Sequence, residues 1–199
     1  IMRIDELEVI NFKLFEKEKF SFDSKFNLII GENGSGKTSL LRAVATALGG
    51  WAHSYIKDSK NRRPIEESEI REIQIDNSFD KSKTTSITAK GTAKIIDRYD
   101  NKKSCVASWT RSKSEGYEET LIEGSIQYSG YSQWYNLNFS TLGADILKFI
   151  ESGKKFDLPL LAFYECNRLW LPHNELNAAS SAKAKYSRFD PFVDCFHTG

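Results

Sequence analysis

Phe26-Asn27-Leu28-Ile29-Ile30 runs directly into Gly31-Glu32-Asn33-Gly34-Ser35-Gly36-Lys37-Thr38, and Leu40, Leu41, Val44, Ala45, Ala47 and Leu48 follow at helical spacing. The first run is short and apolar enough for a buried strand, and the second pattern predicts a helix that Gly49-Gly50 would stop. Strand, glycine-rich loop and helix, in that order, form the context in which G-x-x-x-x-G-K-[ST] binds phosphate. Phosphates are anionic and crowded with acceptors. Glycines at 31, 34 and 36 let the backbone turn around them with its N–H groups inward, and the helix adds the positive end of its dipole. Glu32, Asn33, Ser35 and Ser39 complete the expected nucleotide-binding stretch. Lys37 would reach the β- and γ-phosphates and the Thr38 hydroxyl would ligate Mg²⁺, which makes these two the candidate catalytic residues. The competing reading is a glycine turn that caps an ordinary helix.

Upstream of the loop, Ile4, Leu7, Val9 and Ile10 recur in near alternation, and Phe20 and Phe22 alternate with Lys19 and Ser21. Residues 1–50 therefore read as strands, glycine-rich loop and helix. Trp51 to Pro64 loses periodicity and carries Lys57, Lys60, Arg62 and Arg63, the pattern of a basic surface loop. Residues 69–113 turn to period two through Ile70, Ile73, Ile75, Ile87, Ala89, Ala93, Ile95, Val106 and Trp109, with breaks at Asn77-Ser78, Gly91 and Asp100-Asn101. That predicts an antiparallel meander and excludes a run of βαβ units. Between 140 and 170 the chain reads as a helix capped by Ser140 or Thr141, with Leu142, Ile146, Phe149 and Ile150 as its apolar stripe and Gly153 at its end. A short core strand at Leu158 to Tyr164 follows. Residues 171–199 are polar and small, and no internal repeat is present.

The 199 residues are enough for one domain with a sizeable core, and the whole reads as a single lobe. Hydrophobic residues at 40%, charged residues at 28%, 12 glycines and 4 prolines exclude disordered and collagen-like classes. No apolar stretch is long enough to cross a membrane as a helix, and the alternating Met2-Arg3-Ile4-Asp5-Glu6 lacks the apolar core of a signal peptide. Cys105, Cys166 and Cys195 are odd in number and far apart, so neither a disulfide framework nor a paired metal site is expected, and a reducing cytoplasm fits. Net charge is +1, but Lys81, Lys83, Lys90, Lys94, Arg98, Lys102, Lys103, Arg111 and Lys113 face only Asp97 and Asp100. A basic sheet face that holds phosphates is one reading; solvated lysines on amphipathic strands is the other.

Small P-loop kinases and GTPases start their first strand a few residues before the loop, whereas this chain spends thirty residues on strands first. The string Leu7-Glu8-Val9-Ile10-Asn11-Phe12-Lys13-Leu14-Phe15, followed by Phe26 to Leu41, resembles the N-terminal lobe of ABC-type ATPases of the SMC, Rad50 and RecF group. It is especially similar to bacterial AAA_23-like ATPases, including the anti-phage Septu and retron-associated types. The run Leu158 to Trp170 is also similar to a stretch of such ATPases. The likeness covers about 60 N-terminal residues well and the rest as architecture. It implies an α/β fold: a P-loop NTPase N-terminal lobe of an ABC ATPase head with an antiparallel β subdomain.

The resemblance implies ATP with Mg²⁺, ATP-bound heads closing as a homodimer, a DNA- or nuclease-linked output such as repair or anti-phage defence, and a nuclease effector subunit as partner. It places Lys13 and Phe15, in the Asn11-to-Phe15 turn, near the nucleotide; against that, Phe12 and Phe15 also read as core aromatics. It places a polar residue that senses Mg²⁺ and water after Phe163, where Glu165 and Asn167 stand. Arg62 or Arg63 matches a basic residue that such proteins use on DNA or nucleotide, with a solvated loop as the other reading. A strand ending in Asp-Glu is not evident: Leu160 to Glu165 has Tyr164 where the metal-binding Asp belongs, and Ile95-Ile96-Asp97-Arg98 lacks the Glu. Ser129-Gly130-Tyr131-Ser132-Gln133 reads as a turn, not as a signature motif. The chain is accordingly expected to be the N-terminal lobe of a longer protein, binding ATP without hydrolysing it alone. The alternative is a non-catalytic, nucleotide-gated protein-interaction module. Isolated His53, His173 and His197, the Cys195-x-His197 pair and the four tryptophans carry no site of their own.

Overall fold

A computed structural model of the chain describes residues 2–52, 63–96, 102–128, 132–136 and 138–155. Its framework is one antiparallel sheet. The strands are β1 (Arg3–Phe12), β2 (Phe15–Ser21), β5 (Thr84–Ile96), β6 (Lys102–Ser114), β7 (Leu121–Tyr128) and β8 (Trp134–Asn136), ordered β2-β1-β5-β6-β7-β8. Two helices, α1 (Lys37–Ala52) and α2 (Phe139–Glu151), complete an α/β architecture. A small hairpin of β3 (Glu72–Ile75) and β4 (Ser78–Lys81) stands as a separate two-stranded sheet.

Period two decides what this sheet buries. Leu7 and Val9 on β1 pair with Ala89 and Ile87 on β5, which pair with Trp109 and Arg111 on β6, so these side chains share one face. On that face Leu40, Ala43, Ala47 and Trp51 of α1 and Ile146 and Phe149 of α2 join a single buried core. The other face carries Ser86, Thr88, Ser108, Thr110 and Ser112, with the Thr88 and Thr110 hydroxyls 2.9 Å apart across the strands. Short hydroxyl residues suit a sheet face that is not packed on the core.

Several elements differ from the periodicity-based reading. Phe26 to Ile30 belongs to no ladder among the described residues, and Phe26, Leu28 and Ile30 are 75%, 73% and 81% exposed. Only Ile29 packs against the core. An apolar run becomes a buried strand only where a neighbour takes its backbone groups, and no described segment pairs with it. Helix α1 continues through Gly49-Gly50 because Trp51, in the next turn, is buried and sits 5.4 Å from the Trp109 ring. Trp51 is thus a core residue and not the start of a surface loop.

Gly91 is no turn either, but lies inside the continuous β5, where a β-carbon would sit 1.8 Å from the Arg3 carbonyl oxygen. It admits the close approach of β1 at the irregularity between Ile4 and Glu6. The meander is joined to β1 through β5 and extends beyond 113 to β7 and β8, so β1 and β2 form one sheet with β5 and β6, while β3 and β4 of the 69–113 segment stand apart from it. The break expected at Asn77-Ser78 lies one residue earlier, at Asp76-Asn77, with Ser78 opening β4, and α2 ends near Gly153 as expected.

The basic window does not make one positive face. Arg111 and Lys113 are buried on the core side, Lys81 and Lys113 bind Glu67, and Lys83 and Lys90 are exposed. The side chains at 94, 98, 102 and 103 lie outside the described residues.

Candidate nucleotide-binding site

Residues 31–36 form an exposed turn that leads into the first residue of α1, Lys37. Ser35 N–H donates to the Glu32 carbonyl at 3.2 Å, and Leu40 N–H donates to the Gly36 carbonyl at 2.8 Å as the first turn of the helix. The opening N–H groups of a helix have no partner within it, and no acidic side chain occupies this first turn, so the backbone here is an open set of donors. Gly34 and Gly36 have φ of 82° and 95°. At Gly36 two demands coincide, because a β-carbon would also lie 3.0 Å from Leu14 Cδ2 and from Phe15 Cζ.

Lys37 Nζ donates to the carbonyl oxygens of Gly31 at 2.7 Å and Glu32 at 2.6 Å. The ammonium is therefore held over the loop mouth by the loop itself. Thr38 is exposed in the same helical turn and Ser39 is half-buried. These donors fit a polyphosphate: several backbone N–H groups, one cation and no competing carboxylate in the helix turn. The Thr38 hydroxyl fits as one protein ligand to Mg²⁺, an ion that keeps several waters and takes phosphate oxygens beside one or two carboxylates. Among the described residues no three His, Cys, Asp or Glu side chains gather as a cation site.

The turn between β1 and β2 lies against this loop. Asn11 and Lys13 are both left-handed, with φ of 53°, a conformation that costs a non-glycine residue about 1–2 kcal/mol. Neighbouring backbone holds them there: Lys13 N–H donates to the Glu69 carbonyl at 2.7 Å, Arg71 N–H to the Asn11 carbonyl at 3.0 Å, and Phe12 bridges Ile70. Asn11 Nδ2 donates to Thr84 O at 3.0 Å and Thr85 Oγ1 to Asn11 O at 2.9 Å. Phe15 is buried in the core, as the aromatic reading expects, and its ring edge lies in contact range of Gly36 of the loop. Lys13 reaches a different place, its Nζ donating to Ser68 O at 3.1 Å.

The strap 63–71 that secures this turn carries a buried ion pair. Arg63 Nη2 and Nη1 bind the two carboxylate oxygens of Glu69 at 2.6 and 3.0 Å, and both residues are buried. Arg63 is therefore not on a solvated loop; Arg62 lies outside the described residues. Glu69 and Arg71 are not marked by any motif: the Glu69 side chain pairs with Arg63 through folding of the strap, and the Glu69 carbonyl and the Arg71 side chain meet backbone groups far away in sequence. Glu66 and Glu69, spaced as a capped turn, were the one local signal. Asp97, Arg98, Ser129 to Tyr131, the 158–164 run with Tyr164, Glu165, Asn167, and Cys195 with His197 also lie outside the described residues.

The AAA domain family AAA_23 matches residues 6–194. The chain is 39% identical over 72 residues to the DNA double-strand break repair Rad50 ATPase of Pyrococcus abyssi (strain GE5 / Orsay), covering 36% of this chain and 8% of that protein. It is 46% identical over 43 residues to the DNA replication and repair proteins RecF of Bacillus thuringiensis (strain Al Hakam) and Bacillus cereus (strain B4264), covering 22% of this chain and 12% of each. The matched segments thus span about a tenth of these relatives' length. No helix among the described residues is long and apolar enough to cross a membrane.

Proposed function

This chain belongs to the AAA_23 family of AAA domains, and from that premise we propose that residues 31–39 bind Mg-ATP and that the chain is the nucleotide-binding lobe of a DNA-linked ATPase. The observation that carries the reading is the loop 31–36 curled around the open N-terminus of α1, with Lys37 Nζ held at its mouth by two loop carbonyls. A triphosphate offers that ammonium stronger, charged acceptors in place of two neutral ones, so Lys37 exchanges partners when the nucleotide enters. Backbone N–H groups at Gly34 to Lys37 orient the phosphates, and Thr38 offers its hydroxyl to Mg²⁺. The bound metal supplies charge neutralisation at the phosphates.

Closure of two ATP-bound copies is the proposed use of that binding, with DNA repair as the output that the Rad50 and RecF likeness favours. Anti-phage defence through a nuclease partner is the second output within the same scheme. Light scattering of the full-length protein with Mg-ATP, without nucleotide, and with added duplex DNA tests the scheme. A shift from monomer to dimer that requires Mg-ATP is the expected result, and a mass indifferent to nucleotide contradicts closure.

A further inference from the structure

The β1–β2 turn is fastened by a side chain that no nucleotide-binding motif contains. Arg71 Nη1 donates to the Leu14 carbonyl oxygen, across 57 residues of sequence, and Nη2 lies 3.8 Å from the Glu16 carboxylate. Leu14 and Phe15 are the residues that stand against Gly36, the left-handed glycine immediately before Lys37. Lys13 holds the turn in a left-handed conformation that its side chain resists, and the Phe12–Phe15 ladder pair closes the base of the turn, leaving its tip to an outer restraint. Arg71 is that restraint at the tip, where the strap's backbone bonds do not reach: they end at Asn11 and Lys13.

We propose that Arg71 is a positioning residue for the phosphate loop: by holding Leu14 O it keeps the β1–β2 turn seated on Gly36 and the loop in its nucleotide-receiving shape. The inference rests on the reading of residues 31–39 as the nucleotide site. Arg71 touches neither Lys37 nor Thr38 in the contacts described, and acts through Leu14 and Phe15. A loop that spends only a fraction of its time in the competent shape binds its ligand more weakly by that fraction. The forked guanidinium spans Leu14 O and Glu16 together, whereas a lysine ammonium reaches one of them as a point donor.

The test is equilibrium binding of Mg-ATP to the full 199-residue chain as wild type, Arg71→Ala, Arg71→Lys, Leu14→Ala and Leu14→Ala/Arg71→Ala, with Lys37→Ala alongside and thermal unfolding recorded without nucleotide. A seated fraction of one in ten raises Kd about tenfold in Arg71→Ala, with about threefold expected in Arg71→Lys. The nucleotide-free midpoint stays within about 3 °C, because the Arg71 side chain is 29% exposed and its bond is on the surface. In the Leu14→Ala background the Arg71→Ala effect shrinks in part, since the Leu14 side chain is lost from Gly36 while Phe15 stays against it. Wild-type affinity in Arg71→Ala, alongside abolished binding in Lys37→Ala, overturns this inference and leaves the nucleotide site standing. Full additivity with Leu14→Ala overturns the route through the Leu14 side chain. If Arg71→Ala does not fold, unchanged affinity in Arg71→Lys overturns the inference by itself. Failure of the wild type to bind overturns both this inference and the reading beneath it.

Discussion

Glu69 and Arg63 meet in a two-point ion pair, at 2.6 and 3.0 Å, in the strap that connects the region after α1 to the β1–β2 turn. Glu69 Oε2 also accepts from Glu66 N–H at 3.1 Å, and the Glu69 carbonyl accepts from Lys13 N–H. One residue thus fixes the strap by its side chain and the turn by its backbone. Removing one partner of a buried pair strands the other charge, which costs about 3–5 kcal/mol. Glu69→Ala leaves Arg63 with Glu66 at 3.8 Å and the Pro64 carbonyl at 3.0 Å, so it is expected to lower unfolding free energy toward the low end of that range in denaturant titrations. Arg63→Met/Glu69→Leu together lose less than the sum of the singles, because neither charge is left alone.

Gly50 gives a prediction opposite in sign to helix propensity. An exposed helical glycine replaced by alanine gains about 1 kcal/mol. Here the new β-carbon would meet Arg111 Cδ at 2.8 Å and Ile122 Cδ1 at 3.0 Å, inside the core. Overpacking of that kind costs about 1–3 kcal/mol, so Gly50→Ala is expected to be destabilising by thermal melt. A stabilised variant would show that the helix end is loosely packed.

The same residue shows where local sequence stops being informative. Gly49-Gly50 reads as a helix stop from composition, and it is tertiary packing of Trp51 on Trp109, with Trp109 Nε1 donating to Ala47 O at 2.9 Å, that carries α1 past it. The loop at 31–38 was legible because its glycines, lysine and threonine act at fixed local spacing. The period-two strands were legible because one face of the sheet is buried and alternation records it. Phe26 to Ile30 is unpaired among the described residues, because burial of an apolar run depends on a lateral neighbour, which its own residues do not specify. Arg71 and Glu69 are silent in sequence because Arg71 donates to the Leu14 carbonyl 57 residues away and the Glu69 carbonyl accepts from Lys13 N–H 56 residues away, and backbone partners leave no mark in sequence.

Glu67 should give the chain a small acid sensitivity. Hydrogen bonds from Lys113 at 2.8 Å and Lys81 at 3.2 Å hold its carboxyl below the ordinary 4.5. A depressed folded-state value stabilises the fold above the unfolded value and loses that contribution as pH falls through the folded one. Wild type is expected to exceed Glu67→Gln in stability by a constant margin at neutral pH, with the margin closing below pH 4.5. Denaturant midpoints between pH 7 and pH 3 measure it, and a margin independent of pH would contradict the ion pairing.

Cys105 is expected to be an inert thiol. Burial pushes it up from 9.0 to about 11, against a weak contact of its Sγ with Ala93 O at 3.5 Å. The thiolate is the reactive form, so in a Cys166→Ser/Cys195→Ser background the folded chain should resist a thiol reagent at pH 8 and react on unfolding. Because the folded value is raised, this group's contribution to stability is complete below pH 9.0 and declines as pH rises toward 11. Rapid labelling of the native protein would mean that β6 opens readily.

The central claim is that Lys37 and the loop before it hold a nucleotide. Titration of the chain with Mg-ATP, followed by intrinsic tryptophan fluorescence beside a Lys37→Ala control, tests it most directly. Saturable binding that weakens at least tenfold on loss of the charged hydrogen bonds is the predicted result. Absence of binding, or equal affinity in Lys37→Ala, would contradict it.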